Sequence, residues 1–159
     1  MQMPEDGYRR LSFKGGSIAL PADWRERKSD DASRFVARSP DDKMQITVSA
    51  LCFAQGLDEA RVRDQFNRVV ALRIEAEQKG GGAGLIVTPP DFQGAHEGIV
   101  TATYGGKEDS GRYFRARLAM RYGVCVILYV EMIGGNETDL DKLSNSIFSS
   151  VLFGADRGA

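Results

Sequence analysis

Residues 124–130 are all apolar, and this run restricts the possible folds more than any other feature of the sequence. Successive side chains of a β-strand point to opposite faces of its sheet. A strand here has an apolar row on each face: Val126, Leu128 and Val130 on one, and Cys125, Ile127 and Tyr129 on the other. A strand that is apolar on both faces is covered from both sides. The sequence therefore predicts that 124–133 is the central strand of a sheet with a further layer on each face.

Six other segments have the composition and alternation of strands. They are residues 17–20, 33–38, 44–53, 85–88, 99–104 and 112–122. The first three follow one another with only turns between them, which predicts an antiparallel meander. The fourth precedes two prolines, which is typical of a sheet edge. The last two and 124–133 are joined by close turns, the first of which is expected to start at Gly105.

In two other segments the apolar residues recur with the period of an α-helix. Asp58 is a candidate N-cap for a helix that ends near Lys79, before three consecutive glycines. Thr138 and Asp141 resemble a capping box at the start of a second helix. The apolar stripe of this second helix contains Leu140, Leu143, Ile147 and Val151. The order of three strands, helix, four strands and helix predicts an α+β fold, with an antiparallel sheet of about six to seven strands sandwiched between two helices.

A single domain from residue 12 to residue 153 contains all of these elements, and 1–11 and 154–159 are expected to be loose termini. The net charge is -1, from 21 basic and 22 acidic residues. Nucleic acid and anionic membranes are therefore not expected partners, because both are bound through a strong positive field. Cys52 and Cys125 lie in predicted strands and are expected to be free, buried thiols rather than a disulfide.

The location of the protein is expected to be cytoplasmic. No apolar run in the sequence has the length that a bilayer-spanning helix needs. The first twenty residues lack the basic segment and the apolar core of a signal peptide.

Two features that could indicate chemistry have simpler interpretations. The glycine-rich run 79–84 follows a helix and lacks the Gly-Lys-Ser/Thr ending of a phosphate loop, so it is interpreted as a helix end. His96 is the one histidine, which leaves no second histidine for an ordinary metal site, and no Gly-x-Ser-x-Gly elbow accompanies it. We expect His96 to lie in a surface loop, and we expect no catalytic residue, cofactor or metal. A hydrolase that uses His96 is the weakest alternative.

The segment 112–122 has the most suggestive surface pattern. Alternation places Tyr113, Arg115, Arg117 and Arg121 on one face of the strand, and we call these four residues the arginine row. Arginine and tyrosine are favoured at the hot spots of protein interfaces, so the row is predicted to bind a protein partner. The alternative is a solvated sheet face, or arginine stems that lie along the flank of a helix.

Two short motifs carry a resemblance to a known family. They are Leu20-Pro21-x-x-Trp24 after the first strand and Leu143-x-x-Ser146-x-Phe148 in the last helix. Together with the element order over 12–153, they resemble the PsbP-like superfamily, including its bacterial DcrB-type relatives and the Eag chaperones of type VI secretion effectors. The resemblance implies a PsbP-like sandwich in which Trp24 is a packing residue where the first strand leaves the sheet.

The resemblance also implies a function. The expected protein is a non-enzymatic bacterial protein-interaction module, an effector chaperone or adaptor or an immunity-type partner associated with type VI secretion. A homodimer is implied by the resemblance alone. A different class stays open: a small-molecule or lipid-binding domain with a cavity between the sheet and the long helix, lined by Phe66, Val70 and Leu128. An apolar pocket of several hundred Å3 is the feature that favours this alternative.

Overall fold

The computed structural model describes residues 7–28, 30, 33–52, 59–96, 98–121 and 123–154. Within these ranges the chain forms two helices and two antiparallel sheets. The strands before the first helix are β1 (Tyr8–Phe13), β2 (Gly16–Pro21), β3 (Arg25–Lys28), β4 (Arg34–Arg38) and β5 (Met44–Cys52). The helices are α1 (Glu59–Gly80) and α2 (Glu137–Ser149). Between and after the helices lie β6 (Ile86–Val87), β7 (Asp91–His96), β8 (Ile99–Lys107), β9 (Arg112–Arg121), β10 (Val124–Ile133) and β11 (Leu152–Phe153).

The large sheet has the strand order β3-β4-β5-β10-β9-β8-β6, and β7 also pairs with β8. β10 lies between β5 and β9, with Leu128 opposite Val48 on one side and Arg117 on the other. The prediction that 124–133 is a central strand is confirmed. The sheet has eight strands: six of the predicted segments together with β3 and β7, whereas the predicted segment 17–20 belongs to another sheet.

Each face of this sheet is covered by one helix. Phe66 and Val70 of α1 pack on Phe114, Leu118 and other residues of β8, β9 and β10. On the opposite face, α2 buries its own apolar stripe against β5 and β10: Leu140, Ile147 and Phe148 meet Val48, Leu128 and Val130. The predicted α+β class, with an antiparallel sheet between two helices, is confirmed.

A second, three-stranded sheet with the order β1-β2-β11 lies on the α2 side of the molecule. Every residue from Gly16 to Leu20 is buried, because β2 is the middle strand of this sheet. Ser150 joins the sheet to the end of α2, since its hydroxyl accepts a hydrogen bond from the Ala19 amide at 2.8 Å. β1 begins at Tyr8, inside the segment 1–11 that we expected to be loose.

The predicted meander of the first three strands is wrong. Residues 17–20 pair with β1 and β11, and the actual meander is β3, β4 and β5. The missing strand β3 has the sequence Arg-Glu-Arg-Lys, which has no apolar face and therefore gives no strand pattern. β1 and β7 were missed for a related reason, since neither has a regular apolar alternation.

Several boundaries differ from the prediction. α2 is capped by Asn136, whose side-chain oxygen accepts a hydrogen bond from the Thr138 amide at 2.8 Å, so Thr138 is not the N-cap. Asp141 does not complete a capping box, because its carboxylate faces β9. His96 ends strand β7 and is not in a loop. The proposed N-cap Asp58 lies outside the described residues. Cys52 and Cys125 are free thiols, as predicted, but only Cys125 is buried and Cys52 is exposed.

Trp24 is part of the core. It follows a turn in which its amide donates to the carbonyl of Pro21 at 3.1 Å, and only 5% of its surface is exposed. It belongs to the same apolar cluster as Leu20, Phe35 and Phe148, which come from β2, β4 and α2. The side chain therefore fills the corner where the small sheet, the large sheet and α2 meet.

We expect Trp24→Ala to lower the free energy of unfolding by about 3–5 kcal/mol, because a large aromatic side chain leaves a cavity that the corner cannot close. Urea unfolding followed by far-ultraviolet circular dichroism measures the loss. Trp24→Phe keeps most of the apolar volume and is the control, with a smaller loss. A loss below about 1 kcal/mol for the alanine variant contradicts this placement of Trp24.

Candidate functional site

The arginine row lies on the face of the sheet that α2 covers. Arg117 pairs with Leu128 of β10, whose side chain packs in the α2 cluster, so the alternating residues of β9 face the same way. Tyr113, Arg115, Arg117 and Arg121 are all partly buried. The predicted alternation of β9 is therefore correct, and Tyr113, Arg115 and Arg117 lie along the flank of α2. Tyr122, at the predicted end of this strand, lies outside the described residues.

One carboxylate of α2 binds the first two members of the row. Arg115 donates from Nε to Oδ1 of Asp141 at 2.8 Å, and the Tyr113 hydroxyl donates to the same oxygen at 3.1 Å. The hydrogen bond to Asp141 raises the pKa of Arg115, so this side chain stays charged. Burial raises the pKa of Tyr113, which stays neutral. Part of the row thus fixes α2 to the sheet, which corresponds to the helix-flank alternative.

Arg117 has different surroundings from Arg115. Its guanidinium lies 5.9 Å from the ring centroid of Phe148, an attractive geometry for a cation and an aromatic ring. Within the described part of the chain it has no ion pair. Burial lowers the pKa of Arg117, because the charged form loses contact with water. The row therefore contains a partly buried cation with no carboxylate partner among the described residues.

A cleft of about 210 Å3 opens beside the row. We call it the Gly105 cleft. Its described lining consists of Ile86, Thr88, Gly105, Gly106, Lys107, Tyr113, Arg115 and Glu137. Gly105 lies directly opposite Arg115 in the sheet. A Cβ atom at Gly105 would come within 3.0 Å of Arg115 Cδ, so the missing side chain lets Arg115 lie across β8.

The Gly105–Gly106 pair was predicted to start a turn, and this prediction is wrong. β8 continues to Lys107, and both glycines are inside the strand. Glycine within a strand often marks a close approach of neighbouring groups. Here the backbone of Gly105 is held by Thr88, whose hydroxyl accepts from the Gly105 amide at 2.8 Å.

A second polar cluster lies on the opposite, α1 face and was missed by the sequence reasoning. Arg112 donates to Glu131 at 3.1 Å and to Glu108 and Tyr129, and its Nη2 lies 3.8 Å from the Glu77 carboxylate. Only 13% of the Glu77 side chain is exposed, and burial raises its pKa although Arg112 opposes the shift. The four partners of Arg112 come from α1, from β10 and from the residue after β8, so the cluster holds the C-terminal part of α1 on the sheet.

The predicted cavity between the sheet and α1 needs two corrections. Leu128 cannot line it, because Leu128 packs on the α2 face. A cleft of about 520 Å3 does lie between α1 and β7, and Phe66 lines it, but Val70 is buried in the core and is not among its described lining residues. We call this space the α1 cleft. The other described residues around it are Arg63, Asn67, Phe92, Gln93, Gly94 and Val100.

The described residues contain no group of three or more His, Cys, Asp or Glu side chains arranged to hold a metal ion. In the same part of the chain, neither α1 nor α2 combines the length and apolar character of a membrane-spanning helix. The side chain of His96 and residue Glu97 lie outside the described part.

The sequence matches no protein-family model and no curated protein. Among solved structures, the chain is similar to the cyanobacterial PsbP protein (CyanoP) of Synechocystis sp. PCC 6803. The TM-score is 0.69 with 15% sequence identity, and the match covers 94% of each chain. A protein from Bacteroides thetaiotaomicron gives a TM-score of 0.44 with 13% identity over 87% of this chain and 44% of that one. The similarity to CyanoP shows that the chain has a PsbP-like α+β fold, as the two motifs indicated.

The two polar clusters are expected to differ in their effect on stability. Arg112→Gln should lower the free energy of unfolding by about 3 kcal/mol at neutral pH, because it takes the Arg112 cation away from the largely buried Glu77 carboxylate. Urea unfolding measures the loss, with the exposed Arg38→Gln as control. The loss of stability in Arg112→Gln should shrink as the pH falls through the raised pKa of Glu77. Glu77 then takes up a proton more readily in the folded state than in the unfolded chain, and the neutral carboxyl no longer needs a cation. The double variant Glu77→Gln/Arg112→Gln should lack this trend, and equal losses for Arg112→Gln and Arg38→Gln contradict the assignment.

Arg115→Gln should cost less than about 1 kcal/mol, because exposed ion pairs contribute little. The Arg115 and Asp141 side chains are each 37% exposed. Thermal unfolding in low and in high salt measures this small difference. A loss comparable to that of Arg112→Gln would mean that the ion pair between Arg115 and Asp141 is essential to the fold.

Proposed function

We propose that the chain is a non-enzymatic protein-interaction module whose partner docks on the arginine row and the adjoining Gly105 cleft. The observation that supports this best is the state of Arg117, a partly buried cation without an ion pair among the described residues. Attraction between charges is stronger where water is partly excluded. A carboxylate of a partner that contacts Arg117 would therefore bind more strongly than at a fully solvated arginine.

The composition of the surface suggests the chemistry of the partner. Arg117 and Lys107 supply positive charge in a protein whose net charge is -1. Ile86 lines the Gly105 cleft, where the charged residues are Lys107, Arg115 and Glu137. With 61% of its surface exposed, Ile86 offers an apolar contact beside Lys107 and Arg115. A partner segment that combines acidic and apolar side chains fits this combination. Charges at an interface contribute to specificity and association rate, and an apolar anchor contributes affinity.

The biological role is proposed from the resemblance of the two sequence motifs to bacterial DcrB-type and Eag proteins. On this basis the module is an effector chaperone or adaptor, or an immunity-type partner, associated with type VI secretion. It would act in the cytoplasm, and its homodimeric state is part of the same proposal. The similarity to CyanoP supports the PsbP-like fold that this resemblance implies, and the role itself rests on the motifs.

Arg117→Glu tests the proposed surface. The tagged protein captures its partner from an extract of the source bacterium, mass spectrometry identifies the partner, and the dissociation constant is then measured with the purified pair. We expect Arg117→Glu to weaken binding at least about tenfold, because a carboxylate of the partner then faces a like charge. Arg115→Glu/Arg117→Glu should weaken binding further.

Arg38→Glu is the matched control, since it makes the same charge change at an exposed position of β4, on the other side of the central strand. Its dissociation constant should equal that of the unmodified protein. Thermal midpoints of all variants verify that they are folded. Equal binding by Arg117→Glu and the unmodified protein contradicts the proposed surface, and failure of the unmodified protein to capture any specific partner contradicts the proposed function.

A further inference from the structure

We infer that an extended, acidic polypeptide segment binds beside α1, on the face of β3, β4 and β5 that points to the α1 side of the large sheet. We call this surface the open face, and it consists of Arg25, Arg27, Arg34, Val36, Arg38 and Gln45. The arginine row lies on the opposite, α2 face. The open face is therefore a second binding surface, and the inference does not depend on the partner proposed above.

The alternation of β4 identifies the side chains of the open face. Phe35 and Ala37 of this strand belong to the core under α2. The alternate residues Arg34, Val36 and Arg38 therefore point to the α1 side. The described apolar residues that pack with α1 include none from β3, β4 or β5. The helix thus covers the other half of this side of the sheet and leaves these three strands open.

β3 adds two more arginines to the same face. Arg25 lies opposite Arg38, and Arg27 lies opposite Val36. Side chains of residues that are directly opposite each other lie on the same face of a sheet. All of these arginines are exposed, as is Arg34. The open face therefore presents four exposed guanidinium groups around the partly buried Val36.

The pairing of Arg25 with Arg38 places two like charges side by side, which destabilises a sheet. Asp42 offsets part of this cost, since its carboxylate lies 3.0 Å from Arg25. Arg38 donates to the uncharged carboxamide of Gln45 at 2.8 Å. One carboxylate thus stands beside two opposed cations. Local conflicts of this kind are expected where a surface serves binding rather than the fold.

Arg27 and Arg34 extend the positive charge without any partner. Neither has an ion pair or a side-chain hydrogen bond among the described residues. The one acidic residue of the three strands, Glu26, lies opposite Ala37 and so belongs to the other face. The open face therefore has an excess of positive charge in a protein whose net charge is -1.

A carboxylate-rich extended chain is complementary to this surface. Arginine binds a carboxylate through paired N–H groups. Arg25 and Arg27 are two residues apart in β3, a separation of roughly 6.6 Å, which equals the spacing of alternate side chains in any extended peptide. β3 is also the last strand of the large sheet in the described part of the chain, so a peptide strand can pair with its outer edge. A segment with Asp or Glu at every second residue satisfies both conditions.

A polypeptide fits the open face better than nucleic acid, the other polyanion that arginines bind. Proteins hold single-stranded nucleic acid largely by stacking its bases on aromatic side chains. The open face, as defined by its described residues, contains no aromatic side chain. The free edge of β3 offers backbone pairing, which a polypeptide can use.

The probe is a decapeptide in which glutamate alternates with threonine. One comparison peptide has glutamine in place of glutamate, and a second has the same composition with all glutamates consecutive. An oligothymidylate of equal charge represents nucleic acid. Fluorescence anisotropy gives the dissociation constants, and amide chemical shifts of the 15N-labelled protein locate the site.

We expect saturable binding of the alternating peptide, with shifts concentrated in β3 and β4. The glutamine peptide should bind at least about tenfold more weakly, because it has no charge for the arginines. The peptide with consecutive glutamates should bind at least about threefold more weakly, since alternation then points half of its carboxylates away from the open face.

Arg27→Gln/Arg34→Gln should weaken binding of the alternating peptide at least about tenfold, because it removes the two unpaired cations. Its thermal midpoint should equal that of the unmodified protein, since neither side chain has an ion pair in the described part of the chain. Arg68→Gln/Lys79→Gln removes the same charge from exposed positions of α1 and is the matched control. This control should bind like the unmodified protein.

Absence of saturable binding by the alternating peptide overturns the inference, and so do equal losses in Arg27→Gln/Arg34→Gln and in the control. Tighter binding of the oligothymidylate than of the peptide, with the same loss in Arg27→Gln/Arg34→Gln, overturns the choice of a polypeptide in favour of nucleic acid. Arg115→Glu/Arg117→Glu should keep full affinity for the peptide, and a loss would place the peptide on the arginine row. The open face and the docking surface proposed above can therefore fail independently.

Discussion

Strand β10 loses contact with water on both faces, and each face needs its own cover. Cys125, Ile127 and Tyr129 pack in the cluster under α1, while Val126, Leu128 and Val130 pack in the cluster under α2. β5 and β9 pair with β10 along its two edges through backbone hydrogen bonds. This requirement places a covering layer on each face of β10, because a doubly apolar strand is stable only inside three layers.

The same layering separates polar groups that hold the structure together from polar groups that can serve binding. Arg112 has carboxylate partners on three segments, and the Glu77 carboxylate beside it is largely buried. Such a cluster fixes α1 on the sheet, because a charged group that is shielded from water is stable only while its oppositely charged partners stay beside it. Arg117 lies at the margin of α2, beside an aromatic ring and without a carboxylate among the described residues. The difference between these two arginines is the physical basis of the proposed docking surface.

Strands and helices with a clear periodic pattern of apolar residues were predictable from the sequence, and strands that form only by pairing with a neighbouring strand were not. The bounds of β10 agree with the prediction at both ends, and α1 and α2 were found from their apolar stripes. β3 gives no signal, since it is stabilised as the hairpin partner of β4 and not by an apolar face of its own. Alternation assigned Leu128 and Ile127 to opposite faces, but it could not say which helix covers which face. That choice decides which residues line the α1 cleft, and it depends on the path of the whole chain.

The arginine row shows the same limit at the level of a site. Its members were predictable from the period of two, whereas the binding of Arg115 to Asp141 and the isolation of Arg117 depend on where α2 lies.

Native-state hydrogen exchange of the backbone amides tests the central claim most directly. If β10 is covered on both faces, its amides exchange only through global unfolding, with the free energy obtained from urea unfolding, and the amides of the edge strand β7 exchange at a lower free energy. Exchange of the β10 amides at a free energy clearly below the global value, while β9 stays protected, would contradict the claim that β10 is covered on both faces.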